Sequence, residues 1–403
     1  MSTLSPSVAV FTSRFPYPLE RGDKLRIYHQ IRVLSRQFEV YLFALTDGDV
    51  PPSHWAQVEQ YCRQIRLYHI PKRRRLWNIV KGSLRGLPLQ VGYFYDADVA
   101  AKMREDVERI GPDLLYFHLA RMAPYAHHFI QPKILDYMDA FGWGMRHRRY
   151  RLPLWQQLLY VLESKWMEQY EADIFDSFDG HTIISQQDRE RLPLTPQQRQ
   201  RIVIVPNGVD IFFFQPYMGL ERRYDLCFVG NLGYPPNIHA ARYLVRRILP
   251  LLRRKSSHPW KVLLAGARPH AQVRRLASTN ITVSGWLEDI RHAYATSRIF
   301  VAPLFTGTGL QNKILEAMAM GIPCITSSMV NNAIGATDGE TILLANTPEE
   351  FANKILLLHQ DAVLYKGISD RARQFVEQRY SWEHKTQPLL DLINQLWISN
   401  RRS

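Results

Sequence analysis

The chain has 403 residues, 46% hydrophobic and 22% charged, enough for two domains with separate cores and too apolar for a disordered chain. Lysine and arginine (51) outnumber aspartate and glutamate (37), and the resulting charge of +14 favours an anionic partner: a membrane face, nucleic acid or phosphorylated small molecules. Cys62, Cys227 and Cys324 are too scattered for a disulfide framework or thiolate zinc site, and no apolar run approaches the ~18–20 residues that span a bilayer. With no secretory pattern at Met1–Ser7, the expectation is a cytoplasmic chain.

Val8–Phe11 reads as a short buried strand, followed by a proline-rich polar loop from Phe11 to Lys24. Asp23 could cap a helix from Lys24 to Arg36, in which Leu25, Tyr28, Ile31 and Leu34 recur at helical spacing. Strands are expected at Val40–Leu45 and Ile65–Ile70, with a helix from His54 to Cys62 between them. This alternation predicts parallel βαβ units. The stretch from Arg73 to Tyr95 sets Leu76, Trp77, Ile79, Val80 and Leu84 among basic residues. It suits a membrane surface or a packed helix with a basic outer face. The cluster Arg146-His147-Arg148-Arg149-Tyr150-Arg151 is equally basic, but neither stretch sits in a nucleic-acid-binding module, so no nucleic-acid partner is expected. Further strands are predicted at Leu114–Phe117 and Ile134–Leu135. A long helix from Leu152 to Asp173 carries Trp155, Leu158, Leu159, Leu162 and Trp166.

His181–Ile184 and Ile202–Val205 close the first series, and Pro206-Asn207-Gly208-Val209-Asp210 breaks the pattern. A second series restarts at Asp225–Gly230, with a helix from Asn237 to Arg254 and strands at Trp260–Gly266 and Ile281–Trp286. The chain ends in helical segments, the last an amphipathic one from Ser381. The expected organisation is an α/β chain with domains at 1–205 and 206–380, and a terminal helix at 381–403.

The chemistry concentrates at Phe305 to Pro323, F-T-G-T-G-L-Q-N-K-I-L-E-A-M-A-M-G-I-P. A buried strand at Ile299–Ala302 leads to Gly307 and Gly309, then to a helix from Gln311 to Met320 that stops at Gly321 and Pro323. A helix start of this kind presents free N–H groups and a positive dipole end to an anion, typically phosphate. Lys313 and Glu316 are i, i+3 neighbours on one face. The lysine suits a diphosphate and the carboxylate suits vicinal ribose hydroxyls. The same spacing also serves an ordinary α/β crossover with a surface Lys313–Glu316 pair.

L-E-A-M-A-M-G-I-P resembles the signature of the retaining "group 1" glycosyltransferases of GT-B fold. The resemblance implies two Rossmann-like domains facing a cleft, the first on the acceptor side and the second binding a nucleotide-sugar, with the terminal helix crossing back to the first. It implies that Glu316 holds the donor ribose. Many members carry an acid where this chain has Thr308, and the chain is closer to the subgroup with G-T-G-L-x-x-K-I-L-E, in which Lys313 takes part in donor binding. F-P-Y-P-L-E-R-G-D-K-L-R, D-Y-M-D-A-F, F-V-G-N-L-G-Y-P-P-N and G-W-L-E-D-I are similar to the sugar transferases of exosortase (PEP-CTERM) exopolysaccharide loci.

Retaining transfer asks the protein mainly to stabilise a departing diphosphate. The donor-binding candidates are Arg14, Gly22, Asn207, Gly208, Gly230, Asn231, Gly285, Trp286, Thr308, Gly309, Leu310, Lys313 and Glu316. The loop after the first strand of the second domain lacks the arginine and lysine found in many relatives, so Arg14, Lys24 or Lys313 is left to answer the phosphates. His118, and Asp136 or Asp139, at strand ends of the first domain, are the catalytic candidates beside Lys313, although the leaving phosphate can itself take the acceptor's proton. Asp47-Gly48-Asp49 and Asp96-Ala97-Asp98 read as a turn and a helix cap. No metal or other cofactor is expected. The acceptor would be a saccharide or lipid-linked saccharide, with an anionic inner membrane surface as a further partner. The competing readings are a nucleotide-sugar epimerase on the same fold and a non-catalytic basic membrane- or nucleic-acid-binding protein.

Overall fold

A computed structural model describes residues 6–127, 129–148, 154–217, 219–305 and 310–402. The chain divides into two compact units, Met1–Asn207 with Lys385–Ser403, and Gly208–His384. Each unit is built on one wholly parallel sheet.

In the first unit the strands are β1 (Ser7–Thr12), β2 (Glu39–Thr46), β3 (Gln64–His69), β4 (Leu114–His118), β5 (Lys133–Met138), β6 (Gly180–Ile183) and β7 (Ile202–Ile204), in the order β3-β2-β1-β4-β5-β6-β7. The β1 and β4 strands are continuous apolar runs because helices cover both faces of a parallel sheet. The register sets Phe11 level with Phe43 on one side and Phe117 on the other. Their rings stack at 4.7 and 4.3 Å between centroids, which pins the central strands against slippage.

The second unit holds β8 (Tyr224–Val229), β9 (Val262–Ala265), β10 (Ile281–Gly285), β11 (Ser297–Ala302), β12 (Cys324–Thr326) and β13 (Leu343–Leu344), ordered β10-β9-β8-β11-β12-β13. In each sheet the chain order reverses once, between β1 and β4 and between β8 and β11. Ligands of open α/β sheets lie at such switch points, outside the carboxyl ends of the strands.

Two local expectations are corrected. The first helix starts at Gly22 with Arg21 as its cap residue and no side-chain cap; the Asp23 carboxylate is drawn instead to Arg14 and Arg121. The single helix expected from Asn237 to Arg254 is broken into Pro235–Tyr243, a π-turn at Leu244–Ile248 and Leu249–Lys255, since Pro250 has no N–H for the helical ladder. Leu158, Leu159 and Leu162 are 67%, 53% and 59% exposed on the helix Leu154–Asp173. Asp96 does cap a helix, accepting from the N–H groups of Asp98 and Val99 at the start of Ala97–Ile110. No described helix is long and apolar enough to cross a membrane.

Candidate functional site

At the β8/β11 switch point of the second unit, the helix Asn312–Ala319 starts directly after the β11 loop. Ile314, Leu315, Ala317 and Met318 are buried, which turns Lys313 and Glu316 away from the core face. Lys313 Nζ donates to Asn237 Oδ1 at 2.8 Å and to Gln311 Oε1 at 3.3 Å, and lies 5.6 Å from the Phe228 ring centroid. These contacts are neutral, and burial lowers Lys313 to about 8 although Glu316 opposes it. An anion brought here would restore the missing counter-charge.

Glu316 is half-buried and its Oε2 accepts from the Tyr294 hydroxyl at 2.9 Å. Burial pushes the Glu316 carboxyl above its usual range, against the pull of Tyr294 and Lys313. The fully buried Tyr294 is pushed well above its own usual value by burial and then by Glu316, so it stays a donor and orients the carboxylate. Vicinal hydroxyls offered to such a group would supply the hydrogen bonds that burial has removed. The two side chains thus do not form a surface ion pair with each other; each is held by its own neutral partners.

The Gly230–Asn231 turn is built around the same residues. Asn237 Nδ2 donates to the Asn231 carbonyl at 2.9 Å, and Asn231 Oδ1 accepts from Gly233 N at 3.0 Å. A Cβ on Gly230 would sit 2.9 Å from Asn237 Nδ2. Gly266 (φ +134°) passes so close that its Cβ would lie 1.8 Å from the Gly230 carbonyl oxygen. Gly266 N in turn donates to the Gly285 carbonyl at 2.9 Å, which ties β10 to this turn. Trp286 beyond it is 70% exposed. Leu310 packs against the unit's core, while Thr308 and Gly309 lie outside the described residues.

In the first unit, His118 and Asp136 belong to a closed network. Arg26, fully buried, donates Nε and Nη2 to Asp136 Oδ2 and Oδ1 at 2.8 and 3.0 Å, and Nη1 to the Val205 carbonyl and Asn207 Oδ1 at 2.7 and 3.0 Å. Burial alone would raise the Asp136 carboxyl, but Arg26 and His118 hold it far below the carboxylate range. His118 faces Asp136 Oδ2 and the Asp23 carbonyl, both at 3.1 Å. Its two ring nitrogens are engaged and it is 2% exposed. Asn207 likewise serves Arg26. Gly208, in the second unit, has no positive φ; a Cβ there would come within 2.6 Å of Trp382, so close packing explains this glycine. Gly22 opens a helix, with only an ordinary 3.4 Å approach to Met138.

Arg14 and Arg121 share the Asp23 carboxylate at 2.6 and 3.2 Å. Together with Arg75 they surround the Phe94 ring, their guanidinium carbons 5.1, 4.6 and 5.2 Å from its centroid. Burial, then Arg14, lowers Arg121 to about 9, and burial lowers Arg75. A cavity of about 210 Å³ is lined by Arg14, Lys24 and Arg75 among others. Asp139 lines a smaller one with Arg121. Sequence alone does not mark Arg121 or Phe94, nor Asn237, Tyr294 and Gln311 in the second unit, as site residues, and it marks Arg75 only within a basic stretch. Of the second-unit three, only Asn237, within the Y-P-P-N motif, carried a local signal.

Residues 223–361, which lie within the second unit, match the family model described as glycosyl transferases group 1. An uncharacterized 44.6 kDa protein in the cps region of Klebsiella pneumoniae is 20% identical over 392 residues, covering 93% of this chain and 96% of that protein. The Escherichia coli UDP-Gal:alpha-D-GlcNAc-diphosphoundecaprenol alpha-1,3-galactosyltransferase is 26% identical over 189 residues, 41% of this chain and 46% of the enzyme. Anabaena HepE, solved in complex with UDP and glucose, superposes with a TM-score of 0.61 at 14% identity, covering 96% of this chain and 100% of HepE. The fold is GT-B.

Proposed function

We propose that this chain, a glycosyltransferase of group 1 type, moves a sugar with retention from a nucleotide-diphosphate donor to a saccharide or lipid-linked saccharide acceptor in exopolysaccharide synthesis. The observation that carries this reading is the Lys313–Glu316 pair at the β8/β11 switch point: a half-buried lysine whose hydrogen-bond partners among the described residues are neutral, one helical turn from a carboxylate aimed by Tyr294. Lys313 and the N–H groups of the helix start would receive the diphosphate, and Glu316 the ribose hydroxyls. The match over residues 223–361 supports the donor class. The E. coli relative, named for transfer to a diphosphoundecaprenol-linked sugar, supports a lipid-linked acceptor. The loop motifs named above favour the exosortase-associated branch. Charge development at the reacting carbon needs no metal in this scheme, because cationic and N–H groups answer the leaving phosphates.

The test is thermal stabilisation by uridine-, guanosine- and adenosine-diphosphate sugars, since a ligand that binds only the folded state raises the melting point. One donor should stabilise the wild-type chain, and Glu316→Ala should weaken its binding by roughly 10–100-fold, the worth of hydrogen bonds to a charged group. Unchanged binding would remove Glu316 from the site. The anomeric configuration of the product, read by NMR, decides retention.

The first unit would meet the acceptor at an anionic inner membrane face. Leu76, Trp77, Val80 and Leu84 are 50–85% exposed on and just after the helix Lys72–Ser83. The segment that follows is fastened to the helix Leu154–Asp173 by Trp166 Nε1 donating to the Gly86 carbonyl (3.1 Å) and by Glu163 accepting from Leu89 N and Gln90 N at 3.1 and 3.0 Å. The same helix exposes Leu158, Leu159 and Leu162. Such a surface suits insertion between anionic headgroups. Flotation with anionic vesicles should capture the wild-type chain and lose the Trp77→Ser/Leu84→Ser variant; equal capture of both would sink the proposal.

A further inference from the structure

At the opposite end of β8 from the donor residues, about 17 Å away at the rise of a parallel strand, three potential metal ligands converge from sequence-distant segments. Asp225 lies at the start of β8, His258 in the segment leading to β9, and His359 near the end of the helix Pro348–Gln360. One ligand atom from each lies within 4.8 Å of the others. His258 Nε2 is 2.9 Å from Asp225 Oδ1, while Asp225 Oδ2 accepts from Lys261 N at 2.8 Å. That second bond fixes the carboxylate's direction, as outer-shell bonds do at metal sites. The two imidazoles pack 4.4 Å apart between centroids, and His359 rests 4.9 Å from the fully buried Trp260.

We propose that Asp225, His258 and His359 form a site for a divalent cation that prefers imidazole, such as Zn2+. Two imidazole nitrogens and one carboxylate oxygen are a ligand set suited to that ion. Closing the triangle around an ion, with bonds of roughly 2.0–2.2 Å, asks for side-chain movements of about an ångström, and the partial exposure of all three residues leaves a further position for water. The bound ion would cross-link the β8 and β9 lead-ins to the helix Pro348–Gln360. Its role is to stabilise the second unit, separate from sugar transfer.

The experiment titrates metal-free, untagged full-length protein with ZnCl2 by calorimetry. The expected result is saturable one-to-one binding, a higher melting temperature, and intense visible d–d absorption of four-coordinate Co2+ without a thiolate charge-transfer band. His258→Gln and His359→Gln should each weaken binding at least about tenfold and abolish the melting shift. Absence of saturable binding, or binding unchanged in both variants, overturns the proposal. Should a variant fail to fold, Zn2+ protection of His258 and His359 from diethyl pyrocarbonate in the wild-type chain decides: protection supports the site, and unchanged labelling overturns it.

Discussion

Lys313 and Glu316 differ in what burial does to them, and that difference sets the expected pH response of the site. Burial depresses Lys313 to about 8, so its charge fades as pH rises through that value, and nucleotide binding should weaken above about pH 8 by up to roughly tenfold per unit. Lys313→Met should bind weakly at every pH and lose this dependence; calorimetry at pH 7 and 9 reads both. The stability term has the opposite sign. Between about 8 and the ordinary lysine value of 10.5 the unfolded chain holds a proton that the folded chain does not, so the lysine's destabilising contribution fades as pH rises across this window. At this scale the sequence exposed the pair through its i, i+3 spacing. It could not expose Tyr294 or Asn237, because nothing local marks a tyrosine or asparagine whose partner comes from another element.

Among the elements, the contact between the turn after β8 and the turn after β9 tolerates the least change. Gly266→Ala would place a methyl 1.8 Å from the Gly230 carbonyl oxygen at a φ of +134°, and should cost the second unit about 3 kcal/mol from clash and backbone strain together. Gly285→Ala is the control: its φ is +71° with nothing within 4 Å, so only the left-handed penalty of about 1–2 kcal/mol applies. Urea unfolding of the two variants measures the gap. Both strands were readable as short, largely apolar runs bounded by glycine. Their crowding was not, since it depends on β8 and β9 being neighbours. The same limit explains the helix Leu154–Asp173: its leucine spacing marks a helix, but exposure of Leu158, Leu159 and Leu162 depends on which face the sheet takes.

For the whole molecule, the grouping of Lys385–Ser403 with the first unit makes the end of the chain part of the beginning's core. Leu389, Leu390 and Ile393 are buried, and Leu392 and Leu396 would meet a Cβ on Gly180 at 3.2 and 3.1 Å. A chain ending at His384 should therefore lose stability in its first unit, by about 1.5–3 kcal/mol for each fully buried leucine or isoleucine removed. The second unit should keep its melting transition and its nucleotide affinity. Calorimetric scanning resolves the two, and a first-unit transition unmoved by the truncation would contradict the packing described here.

The sequence by itself determined the α/β class, the paired series of parallel strands, and the helix that carries Lys313 and Glu316, because each rests on periodicity or on residues a few positions apart. Tertiary structure alone decided that His118 and Asn207 serve the buried Arg26–Asp136 network, that Arg14, Arg75 and Arg121 surround Phe94, and that Asp225, His258 and His359 meet. Those groupings join residues tens to more than a hundred positions apart. Strand order and packing, rather than any local pattern, bring them together, and burial then sets their charge.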